Sequence, residues 1–195
     1  MTTTMPQYSE EVCELIERIT NSFSTKMLER MKEKRLKIQS HSKDIVNVAF
    51  TVASQPLYQA MLGGYFLQVN LTSSKTLKMA SEGYCLDERN CHSLSSLFYA
   101  LSHLYYLQLC HLPITLYITS SKALELLENM QTKNDPIAQA VELLLKNLPL
   151  VTVSPCLKGI YFEKMQTKLY RMSSREINEI MSLDFKILSN NLLRD

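Results

Sequence analysis

The stretch ITLYITSSKALELL (residues 114–127) constrains the fold more than any other part of this chain. Ile114–Ile118 is a short apolar run, too brief for a helix and flanked by turn-forming residues. It ends in the polar turn Thr119-Ser120-Ser121, and apolar residues then recur at helical spacing through Lys122–Met130. A buried strand that hands over to a helix within three residues is an α/β unit.

The rest of the chain extends that alternation. Tyr65–Leu71 and Thr76–Tyr84 suit strands joined by the polar turn Thr72-Ser73-Ser74-Lys75, and a helix is expected over about Ser93–Leu109. Asn134-Asp135-Pro136 has the form of a helix start and leads into Ile137–Leu148. Leu150–Ser154 is a β-prone run stopped by Pro155. A last helix is expected from Ser173-Ser174, carrying Ile177, Ile180, Met181, Phe185 and Leu188. Ahead of all this, Val12, Leu15, Ile16, Ile19, Phe23 and Met27 fall on one helix face, with Ser9 placed to cap it. Ile45–Met61 is apolar and ambiguous, interrupted by Pro56, and Gly63-Gly64 marks a boundary. The division expected is an N-terminal helical extension over 1–63 and an α/β domain over 64–195.

Composition removes several function classes. Only four glycines occur in 195 residues and none form a phosphate-binding loop, so dinucleotide-binding and P-loop chemistry are excluded. No cofactor is expected. No G-x-S-x-G elbow or glycine-framed Cys supports a nucleophilic hydrolase. Cys85, Cys91, His92, His103, Cys110 and His111 lie close in sequence but lack paired C-x2-C knuckles. His92 and His103 would stand about 16 Å apart on a helix, too far for one metal. The five cysteines are odd in number and scattered, no leader is visible ahead of Glu10, and no run reaches membrane-span length. An intracellular protein with reduced thiols, nuclear or cytoplasmic, is the expectation.

The order of strands and helices resembles the ribonuclease H-like fold, and most closely the ribonuclease H domain of non-LTR retrotransposons. SLSSLFYALSHL (93–104) looks like that family's central helix, and ITLYITSSKALELL like its strand, Asp-Ser turn and helix. NDPIAQAVELLLKN (134–147) is similar to the helix that follows, and LVTVSPCLKGIYFEKMQTKLYRM (150–172) to the last strand, loop and final helix. The resemblance implies an α/β fold with a mixed sheet flanked by helices. It also implies two-metal hydrolysis of an RNA strand, in which four carboxylates hold divalent ions. Carried across, the first-strand aspartate falls at or next to Asn70 and the central-helix glutamate near Ser96, or Leu97 with a one-residue slip. The turn aspartate falls on Ser120, the final-helix aspartate on Thr167 and the loop histidine on Leu157. None of these positions keeps the family's residue, so the expectation is a fold without its reaction and without a metal.

Two binding roles remain, with a third, catalytic, alternative. The apolar residues of the first helix and central helix, Phe23, Met27, Tyr99 and Tyr106 among them, are candidates for docking a protein partner; an all-round apolar central helix is either covered within the chain or completed by a partner. Lys26, Arg30, Lys32, Lys34, Arg35, Lys37 and Lys43 outnumber Glu29 and Glu33 over one stretch. Lys32, Lys34, Arg35 and Lys37 are therefore candidates for RNA or DNA contact, although no interleaved aromatic residues offer stacking and the net charge of the chain is only +2. The third alternative is an enzyme whose ligands have migrated to Asp87, Glu88, Glu125 or Glu163. Oligomeric state stays open at this level.

Overall fold

The computed structural model describes residues 9–57, 60–80, 84–86, 93–129, 135–155, 163 and 180–181. Two helices lead, α1 (Glu10–Asn21) and α2 (Thr25–Gln39). The expected single helix is broken at Ser22–Ser24 because Ser24 caps α2, its hydroxyl accepting from the Met27 N–H at 3.2 Å. Ser9 caps α1 in the same way, as expected, accepting from Val12.

The strands are β1 (Ile45–Leu57), β2 (Ala60–Leu71), β3 (Thr76–Ala80), β4 (Tyr84–Leu86), β5 (Ile114–Ile118), β6 (Val151–Pro155) and β7 (Ile180–Met181). Three further helices are α3 (Ser95–Tyr106), α4 (Ser121–Glu128) and α5 (Pro136–Lys146). The sheet order is β6-β5-β1-β2-β4-β7, with β3 also paired to β2. β1 runs antiparallel to β2 and parallel to β5, which is parallel to β6. A mixed sheet with its first strand central between an antiparallel meander and a parallel pair is the ribonuclease H-like arrangement. The fold is ribonuclease H-like.

Three expectations are corrected here. Ile45–Leu57 is the central strand of the sheet, so the sheet begins well before residue 64. Val48, Phe50 and Val52 alternate with Asn47, Ala49 and Thr51, a period-2 pattern that the glycines downstream obscured. Gly63 and Gly64 lie inside β2, opposite Ser54 and Ala53, and mark no boundary. Ile180 and Met181 pair parallel with Cys85 and Leu86 as a strand, where helical periodicity predicted a helix.

One face of the sheet carries the core. Val48, Phe50 and Val52 of β1 stand beside Val69, Leu67 and Tyr65 of β2 and Ile114, Leu116 and Ile118 of β5, all buried. The central helix α3 lies on this face and is buried all round from Ser95 to Tyr105, packed by α1, α5, β1 and β2. Its apolar second side is thus covered within the chain.

Candidate functional site

The site begins where β1 and β5 run side by side. Val52 is level with Ile118, and the Thr119 N–H donates to the Val52 carbonyl at 3.1 Å, extending the ladder by one bond. The next residue, Ser120, leaves the sheet with φ −86° and ψ 111° and caps α4. Its hydroxyl accepts from the Ala123 N–H at 3.2 Å, and its carbonyl accepts from Leu124 at 3.1 Å. Serine suits this place because an uncharged hydroxyl satisfies one of the orphan N–H groups of the first turn.

The N-terminus of α3 belongs to the same end of the sheet. β4 pairs Leu86 with Met61 near the β1–β2 turn, and α3 is followed by β5, whose Ile114 is level with Val48 at the other end. The helix therefore runs from the Ser120 end toward the Val48 end. Ser95 and Ser96 lie in its first turn and are buried. The hydroxyls of Ser95 and Thr119 are buried with no hydrogen-bond partner among the described residues.

Val52, level with Ile118 two residues before Ser120, is 3% exposed and points into the core with its cross-strand partner Tyr65. Periodicity does not single it out, because the clear strand signals begin only at Tyr65, one hairpin after β1. The sequence FTVAS (50–54) at the end of an alternating strand was the available signal. Asn70, the residue expected there, is at the opposite end of β2, where it pairs with Asn47 at the start of β1. Five residues of strand, about 17 Å, separate Asn47 from Val52. Asn70 lies on the outer face of the sheet, where its side-chain amide donates to Asn47 Oδ1 at 2.6 Å and its carbonyl accepts from Gln68 Nε2 and the Thr76 hydroxyl. Leu157 and Thr167 lie outside the described residues, as do Asp87 and Glu88. Glu125 and Glu163 are exposed.

A pair of divalent ions needs hard anionic oxygens. The residues described at this end of the sheet include Val52, Ser96 and Ser120: one isopropyl group, one buried hydroxyl and one hydroxyl committed to a helix cap. That set does not fit the metals of the ribonuclease H reaction.

Beneath this end lies a buried aromatic cluster. His103 packs edge-on against Phe23 and Tyr65, with ring centroids 4.9 and 5.3 Å away, and Tyr65 packs on Phe50 at 5.0 Å. Burial pushes the His103 imidazole down to about 3, with a smaller contribution from the Lys34 ammonium, and burial raises the Tyr65 hydroxyl above its ordinary range. His103 is therefore neutral and structural at neutral pH.

The candidate docking and nucleic-acid residues are redistributed. Phe23, Met27 and Tyr99 are buried in the chain's own core and offer no surface, because α1 and α2 fold back onto α3 and the sheet. Tyr106 is half-buried, and the Arg35 guanidinium stands over its ring at 5.8 Å. The Lys34 ammonium stands 5.6 Å from the Tyr65 ring. Of the four basic candidates only Lys32 and Lys37 are exposed; Lys34 and Arg35 lay their stems against the body of the protein. The four do not form a single cationic face.

No family model matches the chain, and no curated protein matches it. Among solved structures it is similar to an N-terminal RNase H domain from Mycobacterium tuberculosis, solved as a fusion with maltose-binding protein. That similarity has 11% identity and a TM-score of 0.41, covering 66% of this chain and 97% of the other. It is also similar to an RNase H1 from the halophilic archaeon Halobacterium salinarum, at 12% identity and TM-score 0.41, covering 56% of this chain and 84% of the other. Among the described residues, no helix is long and apolar enough to cross a membrane.

Proposed function

We propose that this chain is a non-catalytic, ribonuclease H-like protein of retroelement ancestry that acts as an interaction or scaffold subunit for a protein partner. The observation that carries the proposal is what stands where β1 and β5 stop pairing: Val52, level with Ile118, and Ser120, two residues beyond Ile118. In the fold's reaction these strand ends supply negative charge to metal ions. Here one position is built into the hydrophobic core and the other stabilises a helix start. Both residues serve folding, which leaves the fold as a platform.

The test is incubation of the purified chain with an RNA–DNA hybrid in magnesium and in manganese. No cleavage above a metal-free control is expected. Metal-dependent cleavage that disappears on heat denaturation and follows the protein through purification overturns the proposal.

A second reading, contact with RNA or DNA through α2, is favoured by one observation only: Lys32 and Lys37 are exposed on a helix that also carries Lys26 and Arg30. It requires salt-sensitive binding that falls when Lys32 and Lys37 are both changed to Glu. Binding unchanged in that double variant, or no binding at low salt, rejects it.

A further inference from the structure

The edge strand β6 sits in the segment Pro149-Leu150-Val151-Thr152-Val153-Ser154-Pro155, which reads almost the same in both directions about Thr152. It pairs in parallel with β5 on one side, and among the described residues no strand flanks the other. The Ile114 N–H donates to the Leu150 carbonyl at 2.9 Å. In a parallel ladder this turns Leu150, Thr152 and Ser154 toward β5 and leaves the N–H and C=O of Val151 and Val153 pointing outward.

Edges of this kind are ordinarily guarded by lysines or by charged side chains turned inward. No ionisable side chain occurs from Asn147 to Pro155. Leu150 is 54% and Val153 41% exposed, two of the four exposed large hydrophobic residues among those described. The two prolines lie outside the outward-facing pair and limit how far pairing can extend.

We propose that β6 is a self-association edge, on which a second copy of this chain pairs antiparallel about a two-fold axis through Thr152. Val151 then lies opposite Val153 of the second copy, and each such pair exchanges both N–H···O bonds. Pro149 falls opposite Pro155 of the second copy, and since neither has an N–H, no outward donor is left unmatched. Leu150 falls opposite Ser154 of the second copy. The contact is isologous and closes at two copies instead of propagating. The near-palindrome is what favours a second copy over an unrelated peptide: the same segment supplies donor for acceptor in one register, and its neutrality removes like-charge repulsion. Strand pairing of this length buries less than the about 1,200 Å² of a stable interface. The dimer is accordingly weak and concentration-dependent. It stands independently of whether the fold has lost catalysis.

Sedimentation equilibrium of the full chain from about 1 μM to about 1 mM, together with amide exchange at both ends of that range, tests this. The expected result is a mass that rises from monomer toward dimer, with slower exchange at the Val151 and Val153 amides as concentration rises. Val153→Pro removes an outward N–H without touching the β5 ladder and is expected to hold the chain at monomer mass. Leu36→Lys, at an exposed residue of α2, is expected to dimerise like the parent. Monomer mass throughout, equal dimerisation of Val153→Pro, or a dimer with unchanged exchange at those two amides overturns the proposal. Should Val153→Pro fail to fold, the parent's amide exchange decides.

Discussion

β1 meets two different polar questions at its two ends and answers them differently. At its start, Asn47 faces outward and joins Asn70, Gln68 and Thr76 in a hydrogen-bonded row across three strands. Toward its end, Val52 faces inward, beside a helix cap, in a core closed by Tyr65, Phe50 and His103. Polar side chains persist on the outer face, where water and neighbours satisfy them. The inner position carries a hydrocarbon. The difference teaches that one strand holds its two stations by different means, hydrogen bonds on the outer face and apolar packing on the inner.

The same substitution at both stations sharpens that contrast most. Val52→Asp places a carboxylate among buried apolar residues and is expected to cost about 4 kcal/mol or more, enough to unfold much of the population. Asn70→Asp exchanges one hydrogen-bonding group for another on a half-exposed face and is expected to cost about 1 kcal/mol or less. Urea denaturation of the two variants measures both. Equal costs would break the comparison, and so would a Val52→Asp variant stabilised by magnesium.

Acid probes the inner side next. His103 packs on Tyr65, the cross-strand partner of Val52, and its imidazole is held near 3 against an ordinary value of 6.5. Between those values the unfolded chain binds a proton that the folded chain refuses, so stability falls as pH drops below 6.5 and is unaffected by this group above it. The slope is at most about 1.4 kcal/mol per pH unit. His103→Phe, which keeps an aromatic ring in the cluster, is expected to lose this part of the acid sensitivity, a difference of about 2 kcal/mol between pH 6.5 and pH 5. Parallel urea melts of parent and variant at the two pH values isolate it from the carboxylates. Identical pH slopes would place His103 in a wetter setting than its ring contacts indicate.

Local signals in the sequence located most of the elements and failed where a residue's meaning depends on long-range pairing. Ile114–Ile118 is a strand as its apolar run predicts, and Asp135 caps α5 with Pro136 in the first turn, accepting from Ile137 and Ala138. These depend on neighbours within a few positions. The burial of α3 was legible as two alternatives, and the choice between them rests on α1, which is far away in sequence. Asn70 was misplaced for a related reason. Gly63-Gly64 carries a strong local turn signal, yet opposite Ser54 and Ala53 the two glycines sit within a long hairpin. A first strand at Tyr65–Leu71 puts the expectation on Asn70, which lies at the end of the sheet opposite Ser120. Ser120 was placed correctly at the strand-to-helix turn because that turn is entirely local.

Ser120 yields the smallest effects and the finest distinction. Ser120→Ala removes the acceptor for the Ala123 N–H and is expected to cost about 1 kcal/mol, as for other N-caps. Ser120→Asp is expected to cost close to nothing, because aspartate caps as well as serine and its charge suits a helix start. Thermal melts of the two variants are sufficient to rank them. The ranking matters for the comparison, because Asp is the residue the ribonuclease H resemblance puts at this turn. If Ser120→Asp is as stable as the parent while Val52→Asp is not, the two strand ends tolerate a carboxylate differently. Ser120 would then accept a carboxylate by one substitution, whereas Val52 is closed to one by its burial beside Tyr65. A large penalty for Ser120→Asp would mean instead that both strand ends have been rebuilt around neutral side chains.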